Sequence, residues 1–307
     1  MDQEWRKSHL DKLEQKCSIF RYIPDEIGKV VYCDTDQPKE EPDSKEQIKR
    51  RRMIVIPVCL CILAGVWWLL FVHYIWASIL SIIILLIMFM KSDGSFSGTD
   101  YLVGEQGFAI IGFSHKRDNI TDKRIVLFRD LEYLFTSETV IKQNFVYTGT
   151  DYSFAFYFHF DSETKQYKVA FSKKGDYNDK NPKDPDNPDG VNPMYPFMKA
   201  AERQWTSFFF KQHVNDPLIM FGLYHEDTIY SDYIKMGHDY IDIEGVKYTR
   251  DNWKRIYFSN GELVIEHENH SRKLFGLIEK GNINRIPLAG LGNRQAFLLL
   301  VDNFFRT

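Results

Sequence analysis

Apolar and polar positions alternate in short runs through the second two-thirds of the chain, and turn residues separate the runs. Between residues 100 and 174 the runs are "DYLVGEQGFAIIGF", "KRIVLFRDLEYLFT", "TVIKQNFVYTGT", "YSFAFYFHFD" and "QYKVAFSKK". Each is rich in Val, Ile, Phe and Tyr, which predicts strands. In "SFAFYFHF", Phe154, Phe156, Phe158 and Phe160 fall on one strand face. An acidic, proline-broken stretch, "GDYNDKNPKDPDNPDGVNP", then interrupts, within an insertion over 172–193. In "MYPFMKAAERQWTSFFFKQH", Phe197, Ala201, Trp205 and Phe208 recur at helical spacing.

The order then repeats. "DPLIMFGLY", "YIKMGHDYIDIEGVKYT", "WKRIYFSNGELVIEHEN" and "RKLFGLIEKGNINRIPL" read as strands, and "SNGEL" as a hairpin turn. "NRQAFLLLVDNFF" reads as a closing helix with Asn293 as its N-cap. "YLVGEQGF" and "YIDIEGVKY" look like counterparts in the two halves. Strands followed by one terminal helix, twice over, predict two β-rich units at 91–213 and 214–307.

A different pattern lies upstream. No charged residue occurs between Met53 and Met90. One helix over that run would be about 57 Å long against a hydrocarbon core of about 30 Å, so the length favours two spans. Trp67, Trp68, Tyr74 and Trp76 gather mid-run with His73, where a hairpin would meet the far interface. Lys49, Arg50, Arg51 and Arg52 precede it, and the positive-inside rule puts them in the cytoplasm. These eight residues other than His73 are the expected membrane-interface anchors. The expectation is an inner-membrane protein with two spans over 53–90 and both termini cytoplasmic. His73 at the tip reads as solvated. Residues 1–33 hold an amphipathic segment with Trp5, Leu10, Leu13, Cys17 and Phe20 on one face. Residues 34–52 read as a polar linker with a basic flank.

Composition narrows the function classes. Residues 91–307 carry 27 basic against 30 acidic side chains, so no overall basic field exists to hold a nucleic acid. Of four cysteines, Cys17 and Cys33 precede the apolar run and Cys59 and Cys61 lie within it. None follows it, which favours a reducing compartment and gives no cysteine framework for a metal.

A curled antiparallel sheet closed by a C-terminal amphipathic helix, behind a two-span hairpin, resembles the bacterial membrane-anchored pleckstrin-homology-like (PH-like) proteins, including the YcxB-like type. "NRIPLAGLGNRQAFLLLVDNFF" is similar to that family's passage from last strand to closing helix, with Ile286-Pro287 at the step and Asn293, Phe297 and Leu300 toward the sheet. The resemblance is clearest over 240–305 and extends to 100–212. A second unit and the 172–193 insertion depart from the simple family layout. The expected class is thus an α+β membrane protein, a transmembrane hairpin followed by two PH-like units. What the family implies is binding or scaffolding rather than a reaction.

Candidate chemistry is sparse. "FSHKRDNITDKRIVLF" clusters His115, Lys116, Arg117, Lys123 and Arg124. PH-like folds meet anionic headgroups with basic side chains in such a loop, so Lys116, Arg117, Lys123 and Arg124 are the expected anion contacts. The acidic stretch fails EF-hand spacing, because Pro188 and Asp189 stand where Asp or Asn and then Gly are required. In "HENH", His267 and His270 are three apart rather than four, and "HFD" places His159 and Asp161 on one strand face without a nucleophile. No G-x-S-x-G, P-loop or dinucleotide fingerprint occurs.

The reading is a non-catalytic scaffold without metal or cofactor. Its partners are the lipid bilayer, anionic lipid headgroups, and a protein partner or a second copy, with nucleic acid excluded. The alternatives are an oligomeric membrane effector or channel with a cytosolic sensor, and an enzyme with an unrecognised site.

Overall fold

A computed structural model describes residues 17–37, 97–143, 146–177, 183–184, 187–191, 193–213, 215–273 and 278–306, together with Leu13. The first sheet is antiparallel in the order β1 (Val30–Thr35), β2 (Ser97–Gly104), β3 (Gly107–Ser114), β4 (Lys116–Leu127). The next joins β5 (Leu131–Gln143), β6 (Val146–Phe158) and β7 (Val169–Tyr177). A small ribbon of β8 (Lys183–Asp184) and β9 (Asn187–Val191) precedes helix α1 (Met194–His213).

The second half has a four-stranded sheet of β10 (Leu218–His225), β11 (Thr228–Gly237), β12 (Ile241–Ile243) and β13 (Val246–Tyr248). A three-stranded sheet of β14 (Trp253–Ser259), β15 (Glu262–His267) and β18 (Ile283–Pro287) follows, with the ribbon β16 (Ser271–Lys273) and β17 (Ile278–Lys280) as an excursion. Helix α2 (Arg294–Arg306) ends it. Four strands, three strands and a helix therefore occur in each half.

The expected α+β membrane class is corrected by this architecture. Strands dominate, and among the described residues no helix is long and apolar enough to cross a membrane. Helix α1 has the length, but Lys199, Glu202, Arg203 and Lys211 interrupt it. The two-span inner-membrane placement is set aside with that class. The run 53–90, and with it Lys49, Arg50, Arg51, Arg52, Trp67, Trp68, His73, Tyr74 and Trp76, lies outside the described residues.

Strand β1 corrects the boundary drawn at 33/34. Val30–Thr35 crosses it and pairs with β2, with Cys33 opposite Leu102 and Thr35 opposite Asp100. The first sheet thus has four strands only because a strand from upstream of residue 38 completes it. "YLVGEQGF" spans the β2–β3 turn whereas "YIDIEGVKY" spans the β12–β13 turn, so the two phrases are not structural equivalents. "SNGEL" forms the expected hairpin: Asn260 and Gly261 both take positive φ, and Ser259 pairs with Glu262.

The aromatic face of β6 is divided. Phe154 and Phe156 are fully buried, but Phe158 and Phe160 are exposed because the strand ends at Phe158. Helix α1 buries Phe197, Ala201 and Trp205 of the expected stripe, but Phe209 is buried in place of Phe208, which is only partly buried.

One hydrophobic cluster runs through both halves, from Phe108, Phe128 and Phe154 to Phe221, Ile265 and Phe297. Phe209 touches Phe221 at 5.9 Å between ring centroids, and Phe221 touches Phe297 at 5.2 Å. The segment after β18 threads between the two halves. Leu291 bridges to Leu223 of β10, and Gly292 bridges to Phe135 of β5. Asn293, almost wholly buried and with φ +53°, then closes the junction. Its N–H donates to the Leu134 carbonyl at 2.8 Å. Its Oδ1 accepts from the Leu134 N–H and the Trp205 indole N–H, both at 2.9 Å, and its Nδ2 donates to the Glu132 carbonyl at 3.0 Å.

The expected helix cap is therefore only half right. The Asn293 carbonyl accepts from Phe297 N–H at 3.0 Å, as at a helix start, but its side chain leaves the helix and binds the first half. A carboxamide matches this position because it offers donor and acceptor at once, and asparagine tolerates a left-handed backbone better than most residues.

Replacing Asn293 by Ala leaves the buried Leu134 N–H and Trp205 N–H, and the part-buried Glu132 C=O, without these partners. At about 1–3 kcal/mol for each buried unsatisfied group, with partial relief by relaxation, the expected loss is roughly 3–5 kcal/mol in urea denaturation. A loss below about 1 kcal/mol would show that the contact is incidental.

Candidate functional site

The four cations expected to meet an anion do not converge. Arg117 is buried, and its Nη1 is paired with the Asp100 carboxylate while Nη2 donates to the Gln37 carbonyl at 2.6 Å. Its guanidinium also lies 4.8 Å from the Phe113 ring centroid and 5.6 Å from that of Phe20. Burial pushes the Asp100 carboxyl above the usual carboxylate range, and Arg117 pulls against it. This cation is committed to the fold.

Lys123 and Arg124 are neighbours on β4 and point to opposite faces. Lys123 Nζ sits 3.8 Å from the Tyr22 ring centroid, whereas Arg124 reaches over Phe171 at 5.6 Å. Lys116 is exposed beside His115, which turns the β3–β4 hairpin at φ +67°. Asp118 and Asp122 share the shallow depression there with Lys123.

The histidine motifs also come apart. His159 and Asp161 lie beyond the end of β6, so they do not share a strand face. His159 meets the Glu132 carboxylate at 3.5 Å and the Arg129 carbonyl at 3.2 Å. Asp161 instead accepts from Lys168 at 2.6 Å and caps a turn through the Glu163 and Thr164 N–H groups. Those bonds, Lys168 first, hold its carboxyl below the usual range.

In "HENH", His267 closes β15 while His270 is buried, 3.5 Å from Glu266. Tyr257 donates to the same carboxylate at 3.1 Å. Among the described residues no group of three or more His, Cys, Asp or Glu side chains is arranged to hold a metal ion. The acidic side chains of 178–192 lie outside the described ones.

What the strands do assemble is an open groove of about 550 Å³ on the second half. A bulge creates it. On β10 and β11, Phe221 pairs with Ile234 and Leu223 with Tyr230, so Ser231, Asp232 and Tyr233 all stand opposite the single Gly222. The displaced Asp232 and Tyr233 line the groove together with Leu223, His225 and Tyr230. Lys235, Asp242, Glu244 and Gly245 complete the lining.

Gly222 leaves room for a close approach from the first half. A Cβ there would meet the Tyr133 ring at 3.0 Å, and its carbonyl accepts from the Gly292 N–H at 2.8 Å. Tyr133, from β5 of the first half, also donates to the Ser231 carbonyl at 3.3 Å. The junction between the halves thus lies directly behind the groove.

The groove is acidic and phenolic. Asp232 pairs with Lys235 at 3.2 Å, and Asp242 accepts from the Gly245 N–H at 2.9 Å. Glu244 sits in the turn at φ +52°, before Gly245 at φ +83°. Burial, then Glu244 and Glu262, push the Tyr233 phenol up to about 12. Three carboxylates against one lysine, with two tyrosine rings and a leucine, suit a cationic group with an apolar stem. Sequence reading did not single out these residues. One signal was present: Gly222 alone inside "LIMFGLY", since an isolated strand glycine marks a bulge or a close approach.

The Tyr233 phenol gives a direct check. Its folded value lies above the ordinary 10.0, so the associated stability is complete below that pH and is lost as pH rises through about 12. The difference between wild-type and Tyr233→Phe phenolate absorbance should therefore rise near pH 12. A rise near the ordinary tyrosine value would mean that the groove wall is fully solvated. Compared with protein-family models, with curated proteins and with solved structures, the chain matches none.

Proposed function

We propose that this protein is a non-catalytic binding protein, in which two PH-like units joined back to back present the second unit's groove to a basic segment of a partner protein. The observation that carries this reading is the groove itself. Asp232, Asp242 and Glu244 line it beside the rings of Tyr230 and Tyr233. The recurrence of four strands, three strands and a helix in each half supports the PH-like assignment.

A basic segment fits for two reasons. Lysine and arginine carry long apolar stems that cover tyrosine faces while their charge reaches carboxylates. Tyr230 is half exposed, so its ring is open to such a stem. Carboxylates in an open groove act over a distance set by salt, so binding of this kind weakens as ionic strength rises.

The test uses the full chain and two fluorescent probes, an Arg/Lys-rich peptide with interspersed aromatics and an oligo-glutamate of equal length. The basic peptide should bind and the acidic one should not. Asp232→Asn combined with Glu244→Gln should weaken it by about two- to thirtyfold, given roughly 0.2–1 kcal/mol for each of two exposed charge contacts. Lys116→Ser with Arg124→Ser should leave it unchanged. Equal binding by the groove variant, or binding of phosphatidylserine vesicles that depends on Lys116 and Arg124, would overturn the assignment.

A further inference from the structure

Cys17 and Cys33 meet at the edge of the first sheet. Their sulfurs lie 2.6 Å apart, well inside the contact distance of two unbonded sulfur atoms. Cys33 belongs to β1 and is almost completely buried, while Cys17 is half exposed. Both pack in a small cluster with Phe20, Ile27, Leu102 and Ile111, separate from the main core. The chain from Cys17 is already fixed there, because the Phe20 N–H donates to the Cys17 carbonyl at 3.1 Å and the Phe20 ring lies under Arg117. Strand pairing holds Cys33 opposite Leu102 from the other side. The two sulfurs have only to close from 2.6 Å to the roughly 2.05 Å of a disulfide bond.

We propose that Cys17 and Cys33 form a redox-active pair, oxidised to an intramolecular disulfide by a small-molecule disulfide of the glutathione type. Cys17 is the entry thiol because it is the more exposed. As thiolate it attacks one sulfur of the incoming disulfide, whose S–S bond breaks, and the leaving thiol takes up the proton that Cys17 gave up. Cys33, as thiolate, then attacks the Cys17 sulfur and expels the second small thiol, which takes up the Cys33 proton. Two protein thiols become one disulfide, and one small disulfide becomes two thiols. The product staples the segment around Phe20 to β1, beneath the Asp100 and Arg117 pair.

The full chain, incubated with oxidised glutathione, acid-quenched, unfolded, alkylated and digested with trypsin, gives a direct reading. Peptide 17–21 should appear joined to peptide 30–39, lighter than the two reduced peptides by two hydrogens, and should separate on reduction. Each of these peptides carries one cysteine, so Cys59 and Cys61 do not confuse the assignment. Cys33→Ser should instead accumulate a glutathione adduct on Cys17. Cys17→Ser should leave Cys33 open to alkylation only after unfolding. Complete alkylation of both cysteines in the oxidised wild-type sample would overturn the proposal. So would a lasting glutathione adduct on wild-type Cys17.

Discussion

The carboxamide of Asn293 joins what would otherwise be two separate β units. It meets a strand amide and an indole N–H that are buried, and a part-buried strand carbonyl, all in the first half. Such groups lose their hydration on folding, and leaving them unpaired costs far more than pairing them gains. The Asn293 contact therefore fixes register more than it adds net stability. Once it is made, Gly292 is held against Gly222 and Leu291 against Leu223, and Phe297 can reach Phe221. The aromatic chain through Phe209, Phe221 and Phe297 then makes the two cores continuous.

The same junction shapes the surface on its far side. Tyr133 approaches residue 222 closely where there is no side chain to crowd it, and its hydroxyl binds the Ser231 carbonyl in the displaced stretch of β11. Packing at the interface and the opening of the groove are thus two consequences of one bulge. The buried ionic groups have different work. Arg117 secures β2 and the end of β1, and Lys199 joins α1 to β5 through Glu138 while also pairing with Glu202. Their charges are satisfied within the fold, whereas Asp232, Asp242 and Glu244 line an open groove.

Sequence periodicity made the helices and hairpins legible because their causes are local. The stripe of Phe197, Ala201 and Trp205 needs only helical spacing, and the turn at Asn260 and Gly261 needs only its own backbone preference. Features with distant causes were not legible. Val30–Thr35 is short and leads into a proline-rich acidic stretch, and its partner strand begins more than sixty residues later. Arg117 read as a surface cation because nothing nearby in sequence announces Asp100. Asn293 stands where a helix cap belongs, and only the folded chain brings Leu134 and Trp205 to its side chain. The charge-free run 53–90 had suggested a membrane class that the described, mostly β structure does not have.

Native-state hydrogen exchange tests the central claim, that the two β units open as one body through the Asn293 junction. The amides of Leu134, Gly292 and Asn293 should exchange only by global unfolding, with the same opening free energy as Phe154 in the first half and Val264 in the second. Exchange of the three junction amides by orders of magnitude faster than both cores, or distinct opening free energies for the two halves, would contradict it.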